Sequence, residues 1–194
     1  AWKRHPIVDV YDRAVFGQMK ADIFRYCIVF ERGGYYFDFN KGCSKRLTTL
    51  HPAEAQGLVS YENNAALLFP ALSVAEDLQN PFNLVMQWAF AFVPEHAFLE
   101  RLINRIVDLD PFFRGRVFPN PKAALLTMSA PGVFTACFRE HVAEHGIGGI
   151  SEAGVDFFGS GQFRLRGSKF GLDPKQYYGG LRDMPIVTPP HPTR

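Results

Sequence analysis

Apolar residues recur at three- and four-residue steps through positions 18–32, QMKADIFRYCIVFER, where Ile23, Cys27 and Phe30 or Ile28 share one side of a helical projection. This spacing predicts a largely buried helix. Gly33-Gly34 ends it, because glycine tolerates the backbone angles of a tight C-cap, and the aromatic run 35–39 then predicts a short strand. Gly42, Ser44, Thr48, Thr49 and Pro52 make 41–54 irregular or a site of short strands. Positions 58–70 predict one or two strands with a turn at Asn63-Asn64, and 85–93 suits either a helix or a buried strand. A stripe of Phe98, Leu99, Leu102, Ile103, Ile106 and Val107, with Glu100, Arg101, Asn104, Arg105 and Asp108 between, predicts an amphipathic surface helix over 98–109. After Leu125-Leu126-Thr127 and the turn-like SAPG, 133–143 reads as another helix. Beyond Gly146 periodicity gives way to a glycine-rich stretch, and the closing PIVTPPHPTR is expected to be extended or disordered unless it packs against a partner.

With 194 residues, 47% of them hydrophobic, the chain is long enough to bury a sizeable core in one domain, or in one domain with an elaboration. Its net charge of +2 supplies no specific nucleic-acid signal. The most apolar stretch, 84–93, is interrupted by Gln87 and is half the roughly 20 residues a transmembrane segment needs, so none is expected. Cys27, Cys43 and Cys137 lack CxxC spacing, which argues against a cysteine zinc site and leaves room for one disulfide.

The candidate chemistry gathers between positions 22 and 40. In a strand, Tyr36, Asp38 and Asn40 share one face, while Tyr35, Phe37 and Phe39 share the other. Asp38 and Asn40 then offer oxygen ligands at a strand end, a donor set suited to Mg2+ or Mn2+ with positions left for phosphate oxygens. On the preceding helix, Asp22 and Arg25 are three apart and share a face, where Arg25 can pair with a phosphate and Asp22 can accept from a sugar hydroxyl. The same residues also suit a structural polar pair and a strand-ending turn, and their chemistry alone leaves both readings open.

The order KADIFRYCIVFERGGYYFDFN resembles the DXD-containing region of GT-A-fold glycosyltransferases in the group of yeast-type initiating alpha-1,6-mannosyltransferases, inositol-phosphoceramide mannosyltransferases and bacterial capsule or lipopolysaccharide sugar transferases. In that group a helix resembling SDxLRYxxLYxxGG precedes a strand resembling IYLDxD. The resemblance implies donor binding by Asp22, Arg25, Tyr36 and Asp38, with Asp38 and Asn40 at a divalent metal, Mn2+ or Mg2+. Asn40 replaces the aspartate that ligates the metal more directly in the group. QWAFAFVPEHAFLERLI resembles the segment leading to PxGHPF, which makes Gln87 and His96 acceptor-side or structural residues. TMSAPGVFT resembles TxGPxxFT.

The resemblance implies an α/β protein, a GT-A-like mixed sheet flanked by helices, with 1–150 as the catalytic-domain core or remnant and 151–194 as a Gly/Pro-rich extension. Only seventeen residues precede the matching helix, so much of the usual N-terminal nucleotide-binding half is expected to be lacking. The implied reaction is retaining, divalent-metal-assisted transfer of a sugar from a nucleoside diphosphate sugar to a hydroxyl of a glycan or glycolipid acceptor. The alternative is a noncatalytic pseudoenzyme serving as a structural subunit with protein assembly partners. Relatives of this kind occur in bacterial cytoplasm and eukaryotic secretory organelles, and an organellar assembly fits the structural alternative. Elsewhere, His141-Val142-Ala143-Glu144-His145 matches the inverted zinc-protease pattern HxxEH, but Gly146 follows at once and the segment reads as a helix end.

Overall fold

The structure, a computed structural model, describes residues 2–39, 41–43, 45–62, 78–155, 163–165 and 183–190. His5, whose Nδ1 accepts from the Ile7 amide, and Pro6 at the first helical position start α1 (Pro6–Arg13), which the sequence reading did not anticipate. The buried helix follows as α2 (Gly17–Arg32), burying Met19, Ile23, Tyr26 and Val29. Gly33 caps it at φ 66°, and a Cβ there would lie 2.6 Å from Pro94 Cδ, so both the backbone angle and the close approach require glycine.

From this cap the chain enters β1 (Gly34–Phe37), followed by β2 (Lys41–Cys43), β3 (Gly57–Tyr61) and β4 (Ala89–Phe92). Three helices come next: α3 (Ala97–Phe113), α4 (Pro121–Met128) and α5 (Pro131–His145). The glycine-rich remainder holds β5 (Ile150–Val155) and β6 (Phe163–Leu165). The main sheet has the order β1-β4-β3-β5; β4 is antiparallel to both neighbours and β3 is parallel to β5, so β1, β3 and β5 all point the same way. Register puts Gly34, Phe92, Gly57 and Ile150 at one end of the strands and Phe37, Ala89 and Tyr61 at the other. β2 and β6 form a separate two-stranded ribbon.

Alternation along β4 divides the core. Phe90 and Phe92 face the helices, where Phe90 packs on Tyr26, Tyr36 and Phe134, while Ala89 and Ala91 join Leu58, Met86 and Trp88 on the opposite face. α3 and α5 are joined outside this core by Arg105–Glu140 at 2.8 Å and by the Arg101–Glu144 pair. The segment 85–93, open between helix and strand in the sequence, is resolved by these partners: its end becomes β4, paired on both edges.

Of the expected strands at 58–70, the first is β3, while Asn63 and Asn64 lie outside the described residues. The three cysteines are unpaired. The described part of the closing segment is extended and packs against this chain itself. Ile186 and Val187 are fully buried, Val187 bridges Ala14 and Arg114, and the Thr188 carbonyl accepts from Arg13 at 2.9 Å. Arg13 also binds Asp9 and the buried Asp110, tying the strap to α1 and α3. The chain on both sides of residue 150 thus contributes to one core. The architecture is a mixed β-sheet flanked by α-helices, a GT-A-like arrangement in part.

Candidate functional site

Arg25 is the hub of a buried polar cluster at the C-terminal end of β1. Its side chain leaves α2 toward the sheet, with Nε donating to the Ala21 carbonyl at 3.3 Å and Nη1 to the Gln87 carbonyl at 3.1 Å. The guanidinium reaches two carboxylates: Nη2 lies 3.3 Å from Asp22 Oδ1 and Nη1 lies 3.3 Å from Asp38 Oδ1. The Tyr36 ring covers it, with 4.9 Å from the guanidinium carbon to the ring centroid, a cation–π geometry. Tyr36 also donates its hydroxyl proton to Asp38 Oδ1 at 2.9 Å, as expected for side chains two apart on one strand face. That face is covered by α2 rather than open, while Tyr35 on the other face hydrogen-bonds His51.

Asp38 Oδ1 is therefore held by two partners, and its backbone amide donates to the Trp88 carbonyl at 2.9 Å. Oδ2 has no partner among the described residues, and the side chain remains one-third exposed (32%). Asp22 is the inner member of the cluster. It is 4% exposed and accepts from Ser129 Oγ at 3.1 Å. The fully buried Tyr26 hydroxyl lies 2.5 Å from Gln87 Oε1 and 2.7 Å from the Ser129 carbonyl, locking both residues beside Asp22.

Burial pushes the Asp22 carboxyl up to about 7, against the lowering effects of Arg25, Ser129 and Gln87. Burial also pushes the Tyr36 phenol up to about 12, with Arg25 opposing. For Arg25 burial works against the charge, yet Asp22 and Asp38 hold the guanidinium above its ordinary value. Such a cluster can present a fixed positive group and an outward carboxylate oxygen to one ligand.

The structure thus brings Asp22, Arg25, Tyr36, Asp38 and Gln87 together. Asn40 lies outside the described residues. His96 stands apart, at the opposite end of the strands: its Nδ1 accepts from the Phe98 amide at 3.2 Å as the N-cap of α3, and its ring packs 4.7 Å from Phe92. Burial, reinforced by His141, lowers its pKa to about 4. Sequence reasoning missed Ser129 and Tyr26. The TMSAPG segment was the available signal for Ser129, which sits at the junction of α4 and α5; Tyr26 reads in sequence as one more apolar-face aromatic.

Comparison with known proteins reaches the same part of the chain. The family described as "Glycosyltransferase sugar-binding region containing DXD motif" matches residues 3–56, a span that includes Asp22, Arg25, Tyr36 and Asp38. No curated protein matches the chain by sequence. Among solved structures, the one titled "PaToxG Glycosyltransferase" superposes with a TM-score of 0.50 at 13% identity, over 73% of this chain and 43% of that one. The chain spans less than half of that structure's length. Over its first two helices and first strand the chain is similar to a DXD-containing sugar-binding region, and its sheet and helices are arranged as in part of a GT-A-like glycosyltransferase.

Proposed function

We propose that the Arg25 cluster is the donor site of a glycosyltransferase that moves a sugar from a nucleoside diphosphate sugar to a hydroxyl of a glycan or glycolipid acceptor, with retention. The observation that carries this reading is the asymmetry of Asp38: Oδ1 is fixed by Tyr36 and Arg25, while Oδ2 has no described partner and sits beyond the C-terminal end of β1. Ligands of open α/β sheets bind at that end of the strands. The similarity of residues 3–56 to a DXD-containing sugar-binding region supports it independently.

Among the described residues no three carboxylate, imidazole or thiol groups form a metal shell. One open carboxylate oxygen nevertheless fits Mg2+ or Mn2+, which take one or two protein carboxylates and fill the shell with substrate phosphate oxygens and water. Asp38 would hold such an ion, with Asn40 as the neighbouring amide, and the ion would neutralise charge developing on the diphosphate leaving group. Arg25 adds a second, permanently charged group whose position is set before substrate arrives. Asp22 and Gln87 hold that guanidinium in place, and Tyr36 engages Oδ1 of Asp38, leaving Oδ2 without a partner among the described residues.

A second reading is favoured by Asn40, which stands where the resembled group has a carboxylate: the chain is a noncatalytic subunit that keeps the fold for assembly with protein partners. Calorimetric titration with UDP and GDP, each with and without Mn2+, separates the two. Metal-dependent binding that disappears in Asp38→Ala is expected for a donor site. Absence of binding to the folded protein under every condition would overturn it in favour of the subunit. No helix among the described residues is long and apolar enough to cross a membrane.

A further inference from the structure

At the end of the strands opposite Asp38, three imidazoles form a row along one cavity. His96 caps α3, while His141 and His145 lie one turn apart on α5; ring centroids are 5.3 Å apart for His96–His141 and 4.9 Å for His141–His145. All three line a cavity of about 540 Å3, which Glu95 also borders. His141 is 93% buried by its 7% exposure, yet its Nδ1 has no hydrogen-bond partner. Buried polar atoms left in that state call for an explanation.

We propose that this cavity is a second binding site, separate from the donor site, for a borderline transition-metal cation such as Zn2+, with His141 as its central ligand. Imidazole nitrogen binds Zn2+ at about 2.0–2.1 Å, which puts each ring centroid about 3.2 Å from the ion and two rings at the tetrahedral angle about 5 Å apart. Both observed spacings match that value. The three rings do not yet converge on one point, consistent with the absence of a ready three-ligand group among the described residues. His145 is the ring with the most room to turn toward the other two, which are both buried. It is the last residue of α5, more than half exposed, and followed by Gly146.

Glu95 supplies a carboxylate on the same cavity; its backbone has φ 59°, a conformation uncommon for a non-glycine residue, and its N–H donates a hydrogen bond to the Phe30 carbonyl. Glu144, the acid of the HxxEH pattern, is paired with Arg101 instead and is not placed to act as a base. The site is structural rather than hydrolytic: a cation there ties the start of α3 to the end of α5.

The test uses the full chain, freed of metal, with Zn2+ alone by calorimetry and Co2+ alone by visible absorption. One equivalent is expected to bind, Co2+ is expected to show tetrahedral d–d bands, and saturation about a hundredfold above the dissociation constant should raise the folding equilibrium constant about a hundredfold. His145→Ala, at an exposed position, should weaken binding about tenfold or more, and His141→Gln should remove the d–d bands from protein whose circular dichroism is native. Asp38→Ala should leave both signals unchanged. No binding, undiminished binding in His145→Ala, or loss of binding in Asp38→Ala would each overturn the proposal, and none of these results depends on whether UDP or GDP binds.

Discussion

Asp22→Asn isolates the electrostatic state of the innermost residue of the Arg25 cluster. Burial lifts the Asp22 carboxyl from the ordinary 3.8 to about 7. The folded protein thus takes up this proton near neutrality, whereas the unfolded chain takes it up only in acid. Protonation therefore favours the fold: the contribution is fully present below pH 3.8 and is lost as pH rises through 7. At about 1.4 kcal/mol per pH unit, lowering the pH from 8 to 5 should strengthen the wild-type fold through Asp22 by about 2–3 kcal/mol. Asparagine does not titrate and lacks this gain.

His96 acts in the opposite sense, since burial lowers its pKa from 6.5 to about 4 and its contribution fades as pH falls through that window. It is common to both proteins and cancels in their difference. Urea unfolding of wild type and Asp22→Asn at several values between pH 5 and 8 reads that difference directly. With a slope of about 2 kcal/mol/M, the separation between the two midpoints should change by about 1 M across the range. The lost Ser129 and Arg25 contacts add only a pH-independent offset. A difference that stays constant from pH 5 to 8 would refute the reasoning, because Asp22 would then ionise alike in both states.

Gly33→Ala combines a φ of 66° with a Cβ placed 2.6 Å from Pro94 Cδ; it should cost about 2 kcal/mol or more and lower the thermal midpoint by about 4–8 °C, and an unchanged midpoint would show that the α2–β1 turn relaxes freely. Asp110→Ala leaves the buried Arg13, among the described residues, with the exposed Asp9 and the Thr188 carbonyl, an expected loss of about 3 kcal/mol in chemical denaturation; a loss below about 1 kcal/mol would mean that Arg13 re-solvates.

The α2–β1 unit was legible because each of its signals is local: apolar spacing, a glycine pair at the cap, and alternation along the strand. Tyr36 and Asp38 share a face for the same reason. The Asp22–Arg25 pair was legible from its three-residue spacing, whereas the arrival of Gln87 at Arg25 and of Ser129 at Asp22 was not, since the Gln87 carbonyl comes from 62 positions away and Ser129 reaches Asp22 across 107. α1 has eight residues, too few for a clear apolar period, and was missed. β5 was hidden by Gly154 and by the small residues around it; its pairing with β3, not its own composition, makes ISEAGV a strand. Gln87 and His96 were read together because both fall in the segment that resembles the run to PxGHPF, yet β4 runs between them and carries them to opposite ends of the sheet.

The strap formed by Ile186 and Val187 bears on the order of events during synthesis. Its contacts with α1 close a loop in which Arg13 meets Thr188 across 175 positions, among the most non-local pairings in the molecule. Until position 188 has left the ribosome, the apolar seat between α1 and the end of α3 stays uncovered, and Arg13 lacks the carbonyl that completes its hydrogen bonding. A nascent chain stalled between the end of α3 and the strap therefore carries an uncovered apolar seat, a surface open to aggregation until the strap is made.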